Sequence, residues 1–312
     1  METGKINFSE RKILVIGDIM LDVYRKGSAD RISPEAPVPV VRLSSSYSVP
    51  GGAANVANNI VSLGASATLM GIVGMDAAGG ELAQHLSRRG ILKILSTGDA
   101  PTITKERIIG NNDQQMLRID TEQMIGEFDP DHIEKLPKIV ARHDLVVVSD
   151  YAKGTVKKGL MDAVVSAALQ YDRKIIVDPK PANADIYRGA YLVTPNQKEA
   201  EEMSGMPDGD CMGIAYKLHS KIGSNVLITR GEHGMLGYDG KDTFKLPAKA
   251  REVYDVSGAG DTVTAVMALG IASGYSIRES AELANHAAGV VVGKRGTATV
   301  TLDELVKSVG SE

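Results

Sequence analysis

The segment Asp255-Val-Ser-Gly-Ala-Gly-Asp261 combines the residue types that transfer of a phosphoryl group needs. It leads from an extended stretch, Arg251 to Tyr254, into the apolar run Thr262–Ile271. A Gly-rich turn at a helix start points unpaired backbone N–H groups at one spot, and the helix dipole adds partial positive charge there. The backbone N–H groups of Gly258, Ala259 and Gly260 would then cradle a phosphoryl group in flight. Asp261 falls in the first helical turn, where the dipole favours its carboxylate form. Such a carboxylate suits a general base that takes a proton from a hydroxyl attacking phosphorus. Alone, the segment fits an ordinary strand-to-helix loop with an acidic cap equally well.

Three further constellations carry polar groups at strand ends. Gly17-Asp18 closes the apolar run Lys12–Gly17, and Asp22 follows four residues on. Ligands of open α/β sheets bind beyond the carboxyl ends of the strands, so the two carboxylates could accept hydrogen bonds from a ligand's hydroxyls. Asp18 as a helix N-cap is the structural alternative. Pro50-Gly51-Gly52 opens a helix with apolar Val56, Ile60 and Leu63, closed by Gly64. The two glycines would let backbone approach a ligand, and Asn55 could bond its hydroxyls. Thr194-Pro-Asn196-Gln-Lys-Glu199 sets an amide and a carboxylate on one side of a helix start. Mg²⁺ keeps several waters, so such a pair can hold it through water, although surface helices contain Asn and Glu routinely.

The Gly51–Gly64 and Asp255–Asp261 segments together resemble the paired signatures of the ribokinase-like (PfkB) carbohydrate kinase family. The resemblance covers nearly the whole chain. It implies an α/β fold: a ribokinase-like three-layer α/β/α sandwich with a mainly parallel central sheet and a small β-sheet lid. Residues 1–312 would form one kinase domain, with lid segments at roughly 24–49 and 102–122. It implies ATP and Mg²⁺ as cofactors, with a monovalent cation (K⁺) in some relatives, and a homodimer through the lid. Asp18 and Asp22 match the family's early sugar-binding acids, Asp18 the firmer of the two, with Gly51, Gly52 and Asn55 completing the hydroxyl shell. Asn196 and Glu199 match its Asn-x-x-Glu motif at the metal. Thr229, Arg230 and Gly231 would lie along the nucleotide. Asn285 and Gly289, on a helix of small residues, would pack an adenine, unless those residues serve only helix packing.

The elements needed to position these groups are legible as alternation. Strand-like runs at Lys12–Gly17, Thr68–Val73, Leu145–Ser149, Lys174–Asp178, Tyr191–Thr194 and Val226–Thr229 alternate with helical patterns. The helices are expected at 53–63, 79–89, 156–170, 198–204 and 212–221, then 261–272, 277–292 and 302–309. That order predicts a mainly parallel sheet covered on both faces. Two excursions break it. Tyr24–Val49 holds Ser-Pro-Glu-Ala-Pro-Val-Pro, and Thr102–Glu122 alternates polar and apolar residues; both are expected to pair into a small antiparallel sheet.

Finer likenesses narrow the substrate. Arg31–Val41, Thr102–Arg107, Asp150–Gly154, Asp178-Pro-Lys180 and Glu252–Asp255 resemble the bacterial heptose-7-phosphate kinases. That resemblance implies phosphorylation of the anomeric hydroxyl of D-glycero-D-manno-heptose 7-phosphate on the way to ADP-heptose and lipopolysaccharide. A substrate already bearing a phosphate needs cations, and Lys105, Arg107, Lys153 and Lys180, with Asp150, lie on segments expected to ring the sugar. A kinase for another sugar, and a non-catalytic sugar sensor on the same fold, stay open. Many such kinases are fused to a nucleotidyltransferase with a His-x-Gly-His motif, absent here, so a kinase-only form is expected.

Other classes fit poorly. The net charge of −4 does not suggest nucleic-acid binding, and one cysteine, Cys211, excludes an intramolecular disulfide and a cysteine zinc site. No apolar run approaches a membrane span and no signal-peptide pattern opens the chain, so a cytoplasmic protein is expected. Gly289-Val-Val-Val-Gly293-Lys-Arg295 is one spacer short of a P-loop and carries Arg where Ser or Thr binds Mg²⁺.

Overall fold

The computed structural model describes residues 6–124, 126–249 and 253–310. In chain order the strands are β1 (Lys12–Gly17), β2 (Ile19–Ile32), β3 (Pro39–Gly52), β4 (Ser66–Gly74), β5 (Leu92–Gly98), β6 (Ile103–Ile109), β7 (Gln115–Thr121), β8 (Leu145–Ser149), β9 (Lys174–Asp178), β10 (Leu192–Val193), β11 (Asn225–Thr229), β12 (Met235–Tyr238) and β13 (Thr243–Leu246). The helices are α1 (Ala53–Ser62), α2 (Ala77–Arg88), α3 (Pro130–Val140), α4 (Lys158–Gln170), α5 (Gln197–Ser204), α6 (Cys211–Ile222), α7 (Ala259–Ala272), α8 (Ile277–Val292) and α9 (Leu302–Gly310).

The large sheet runs β13-β12-β11-β10-β9-β8-β1-β4-β5, parallel from β5 to β11 and closed by the antiparallel edge strands β12 and β13. Successive residues of β1 serve opposite faces. Ile13 and Val15 pack with Val56, Leu82, Val266 and Leu283, from α1, α2, α7 and α8. Leu14 and Ile16 pack with Leu136, Met161, Met203 and Leu218, from α3 to α6. A strand buried on both faces reads as a continuous apolar run because each side chain finds a helix layer. This is the expected three-layer sandwich.

The second sheet, β3-β2-β6-β7, contains both expected excursions, but it is mixed rather than antiparallel. β2 pairs antiparallel with β3 and parallel with β6, in the register Asp22↔Lys105 and Tyr24↔Arg107. β2 starts at Ile19, so Asp18 is no helix N-cap and Asp22 lies on a strand. Segments without an assignment in the sequence reading are α3, β5 and the β12–β13 hairpin. α3 has Asp129 as its N-cap and Pro130 in its first turn, but its interior Pro137 breaks the helical pattern. Arg251 and Glu252, part of the expected extended stretch, lie outside the described residues, and Val253 and Tyr254 are not strand.

Candidate active site

The carboxyl ends of β1, β8 and β9, the start of α7 and the root of the lid converge on Asp261. Its carboxylate is 4% exposed. Tyr151 Oη donates to Oδ1 at 2.7 Å and Asn55 Nδ2 donates to Oδ2 at 2.7 Å. Burial pushes its pKa up to about 6 against the pull of these two bonds, with Asp22 adding to the rise and Lys105 opposing it. That value suits a base working near neutral pH.

α7 begins at Gly258, which sits at φ 78° and has no side-chain cap. A Cβ there would lie 2.8 Å from Asn55 Nδ2, so this position requires glycine. A Cβ on Gly260 would meet nothing within 4 Å; that residue leaves space for a ligand rather than for a strained backbone. Of the three expected donors, the Ala259 N–H is engaged by the Val256 carbonyl at 3.2 Å, so the cradle is narrower than the sequence suggested. Asp255 braces the turn, accepting from the Ser257 N–H at 2.8 Å and the Gly296 N–H at 3.0 Å.

Three residues expected at the sugar are engaged within the protein. Asp18 is fully buried and accepts the N–H groups of Tyr151, Lys153 and Thr155 at 2.8, 3.0 and 3.0 Å. Its carboxylate organises the loop after β8. Asp150, 1% exposed, accepts from the Ala152 N–H, Asn183 Nδ2 and Tyr187 Oη, bracing that loop from beneath. Asn55 is buried, its amide turned to Asp261 rather than to a ligand. The glycines of the Gly51-Gly52 pair likewise face protein: a Cβ on Gly51 would lie 2.5 Å from Asp22 Oδ2, and Gly52, at φ 59°, abuts the Asp18 carbonyl. Gly51 makes room for Asp22, which accepts from Arg107 Nη1 at 2.7 Å and Thr297 Oγ1 at 3.4 Å.

Of the four candidate cations, two share the Tyr151 ring and three are held in ion pairs. Arg107 pairs with Asp22 and lies over the Tyr24 ring, Lys153 pairs with Glu122 at 2.6 Å, and Lys180 pairs with Glu199. Lys105 has no ion pair among the described residues; its ammonium sits 5.4 Å from the centre of the Tyr151 ring, and burial lowers its pKa. Lys180 lies over the same ring at 5.4 Å.

Beside the α7 start lies a cleft of about 810 Å³ lined by Thr229, Arg230, Gly231, Ala259, Gly260, Asn285 and Gly289, with Val253, Val256 and Val292 as apolar walls. Its size suits a nucleotide. Arg230 Nε is buried there without a hydrogen-bond partner. Asn285 donates Nδ2 to the Pro247 carbonyl at 2.7 Å. Asn196 and Glu199 form the capping box of α5, each bonding the other's backbone N–H. Both therefore hold their positions through the helix start itself. Asp178, at the end of β9 and half-buried, was given no role by the sequence reading; burial together with Asp261 and Glu199 holds its carboxyl well above the usual range. Tyr151 and Thr297 were also missed. The signals available were a Tyr in Asp150-Tyr-Ala-Lys and an Asp ending an apolar strand.

The model of the "pfkB family carbohydrate kinase" matches residues 10–304. The chain belongs to the pfkB family of carbohydrate kinases. Members of this family use ATP, which the cleft can accommodate. Among similar pfkB-type chains, the bifunctional protein HldE of Cronobacter sakazakii is 44% identical over 313 residues, and that of Pseudomonas aeruginosa 41% over 317. These matches cover 97% and 100% of this chain but 64% and 66% of the relatives, so the chain spans about two thirds of their length. Phosphofructokinase-2 of Escherichia coli, solved in complex with potassium, superposes with a TM-score of 0.80 at 22% identity, covering 97% of this chain and 99% of that one. Arabidopsis thaliana ribokinase complexed with ribose and ATP gives 0.76 at 20%, covering 96% and 99%. These two structures establish the shared ribokinase-like fold. Among the described residues no helix is long and apolar enough to cross a membrane.

Proposed function

We propose that this pfkB kinase transfers the γ-phosphoryl group of ATP to the anomeric hydroxyl of D-glycero-D-manno-heptose 7-phosphate. The product is the 1,7-bisphosphate, a precursor of ADP-heptose for lipopolysaccharide. The observation that carries this reading is Lys105 and Lys180 set over the Tyr151 ring, whose hydroxyl bonds Asp261, with Arg107 and Lys153 each two residues along the chain from Lys105 and Tyr151. Arg107, Lys153 and Lys180 are paired with Asp22, Glu122 and Glu199, and Lys105, without an ion pair among the described residues, is the cation left to meet a substrate phosphate. The likeness of Arg31–Val41 and Asp150–Gly154 to heptose-7-phosphate kinases and the identity to HldE proteins support it.

Asp261 accepts the proton of the attacking hydroxyl, which turns that oxygen into the nucleophile. Asp22 and the lid hold the sugar so that this hydroxyl points at the cleft. The Gly258 and Gly260 N–H groups and the α7 dipole stabilise charge growing on the transferred group, and Arg230 faces the phosphates. Mg²⁺ bound with the nucleotide would neutralise the β- and γ-oxygens. Glu199 would hold such an ion only through water: its two oxygens already accept from Lys180 and the Asn196 N–H, and each keeps a lone pair for a water. The lid shields the site and limits wasteful hydrolysis. Exposed Leu43, Leu117 and Ile119 on lid strands β3 and β7 support a homodimer through the lid. The potassium-bound phosphofructokinase-2 supports a K⁺ requirement, read as turnover in K⁺ against tetramethylammonium buffer. A cytoplasmic location follows from the substrates. Phosphorus NMR of the product tests the reaction: a new phosphate on the anomeric carbon is expected, and one on any other oxygen refutes it.

A further inference from the structure

We infer that Tyr151 is a positioning residue for Asp261, orienting the carboxylate and keeping it ionised while its ring carries two of the cations that meet the substrate's phosphate. The inference rests on the reading of Asp261 as the base.

The geometry of the loop after β8 supports it from three sides. The backbone of this loop is fixed: Asp18 takes the N–H groups of Tyr151, Lys153 and Thr155, and Asp150 takes that of Ala152, which sits at φ 54°. A non-glycine residue in the left-handed region persists only where its surroundings hold it. The fixed loop aims the Tyr151 hydroxyl at Oδ1 of Asp261, 2.7 Å away, opposite Asn55 on Oδ2. Each carboxylate oxygen thereby keeps a lone pair for the attacking hydroxyl while rotation about Cβ–Cγ is blocked. The third side is the ring. Lys105 from the lid strand β6 and Lys180 from the segment after β9 both lie 5.4 Å from its centre. One side chain therefore touches the base, the lid and the floor of the substrate opening.

A hydrogen bond to the charged form of an acid favours that form. The groups facing Asp261 are Asp22 from β2, Lys105 from β6, Asn55 from α1, Asp178 from β9 and Tyr151 itself. Burial and Asp22 push the carboxyl toward its neutral form, and Asn55, Tyr151 and Lys105 oppose them. Removing the phenol hydroxyl removes one of three opposing contacts, so Asp261 should take its proton at higher pH and present its oxygens less uniformly.

Tyr151→Phe keeps the ring, and with it the cation contacts, but removes the donor. Its kcat at pH 7 should fall about ten- to a hundredfold, the usual effect of losing a hydrogen bond to a charged group. KM for ATP and for the sugar phosphate should stay within about threefold, since their contacts remain. The acid limb of the kcat/KM–pH profile should move up by about one unit, with part of the activity recovered at pH 9. 3-Fluorotyrosine at position 151 is a stronger donor in an unchanged fold and should move the limb down. Asp261→Asn, run in parallel, separates the two claims. If it keeps wild-type kcat, the base reading fails and this inference with it. If it is inactive while the phenylalanine and fluorotyrosine profiles superpose on the wild type, the inference about Tyr151 alone is overturned.

Discussion

Two glycines two residues apart should respond in opposite ways to the same substitution. Gly258 is held at φ 78°, and a methyl group there would stand 2.8 Å from Asn55 Nδ2. Placing alanine in the left-handed region costs about 1–2 kcal/mol. Displacing Asn55 also weakens its 2.7 Å bond to Asp261, worth about 1.5–3 kcal/mol for a charged acceptor. Gly258→Ala should therefore lose about 2–4 kcal/mol of stability, or roughly 3–6 °C in Tm. It should also lose turnover, because the base is no longer held. Gly260 lies within α7, outside the left-handed region, with nothing within 4 Å of its would-be Cβ. Gly260→Ala should leave stability unchanged or raise it by up to about 1 kcal/mol. Its methyl would enter the nucleotide cleft, so KM for ATP should rise. Thermal unfolding and a coupled ADP-release assay on the two variants decide the matter. A stable, fully active Gly258→Ala protein, or a Gly260→Ala protein that unfolds early, would refute the reasoning.

Two further outcomes follow from the site's electrostatics. The folded pKa of Asp261, about 6, lies above the ordinary value of about 3.9, so its stabilising contribution is complete below about pH 4 and is lost as pH rises through 6. Urea unfolding should show the wild type losing up to about 3 kcal/mol relative to Asp261→Asn between pH 4 and 7, with no further divergence above; parallel stability curves would contradict the burial argument. Asp18→Ala strands three N–H groups, one of them buried, and should cost about 3 kcal/mol or more, whereas Asp22→Asn should fold normally and fail chiefly in sugar KM; equal stability losses in the two variants would overturn the division of labour drawn here.

The parts of the site that were legible in the sequence are those built from adjacent residues. Gly258 to Asp261 form a helix start because glycine permits the left-handed entry and the following residues are apolar, and both facts are local. The parallel strands were legible because a strand covered on both faces must be apolar throughout. What escaped is set by contacts between residues far apart. Asp18 and Asp22 are the same residue type four positions apart, and their roles differ because the N–H groups meeting Asp18 come from 133 to 137 residues downstream. Asn55 is equally plausible as a ligand contact until α7, 206 residues later, brings Asp261 against it. The parallel pairing of β2 with β6 follows from a crossover through the main sheet, which alternation within either segment does not reveal. One miss did have a local signal: Asp239-Gly240 between two short apolar runs marks the β12–β13 hairpin.

The central claim is that the cations over Asp261 select a sugar that already carries a phosphate. Its most direct test compares kcat/KM for D-glycero-D-manno-heptose 7-phosphate and for unphosphorylated heptose, in the wild type and in Lys105→Ala. The wild type should strongly prefer the phosphorylated sugar. Lys105→Ala should lose about ten- to a hundredfold on that substrate, mainly in KM, and little on the unphosphorylated one. Equal turnover of the two sugars by the wild type, or an equal loss on both in the variant, would contradict the account.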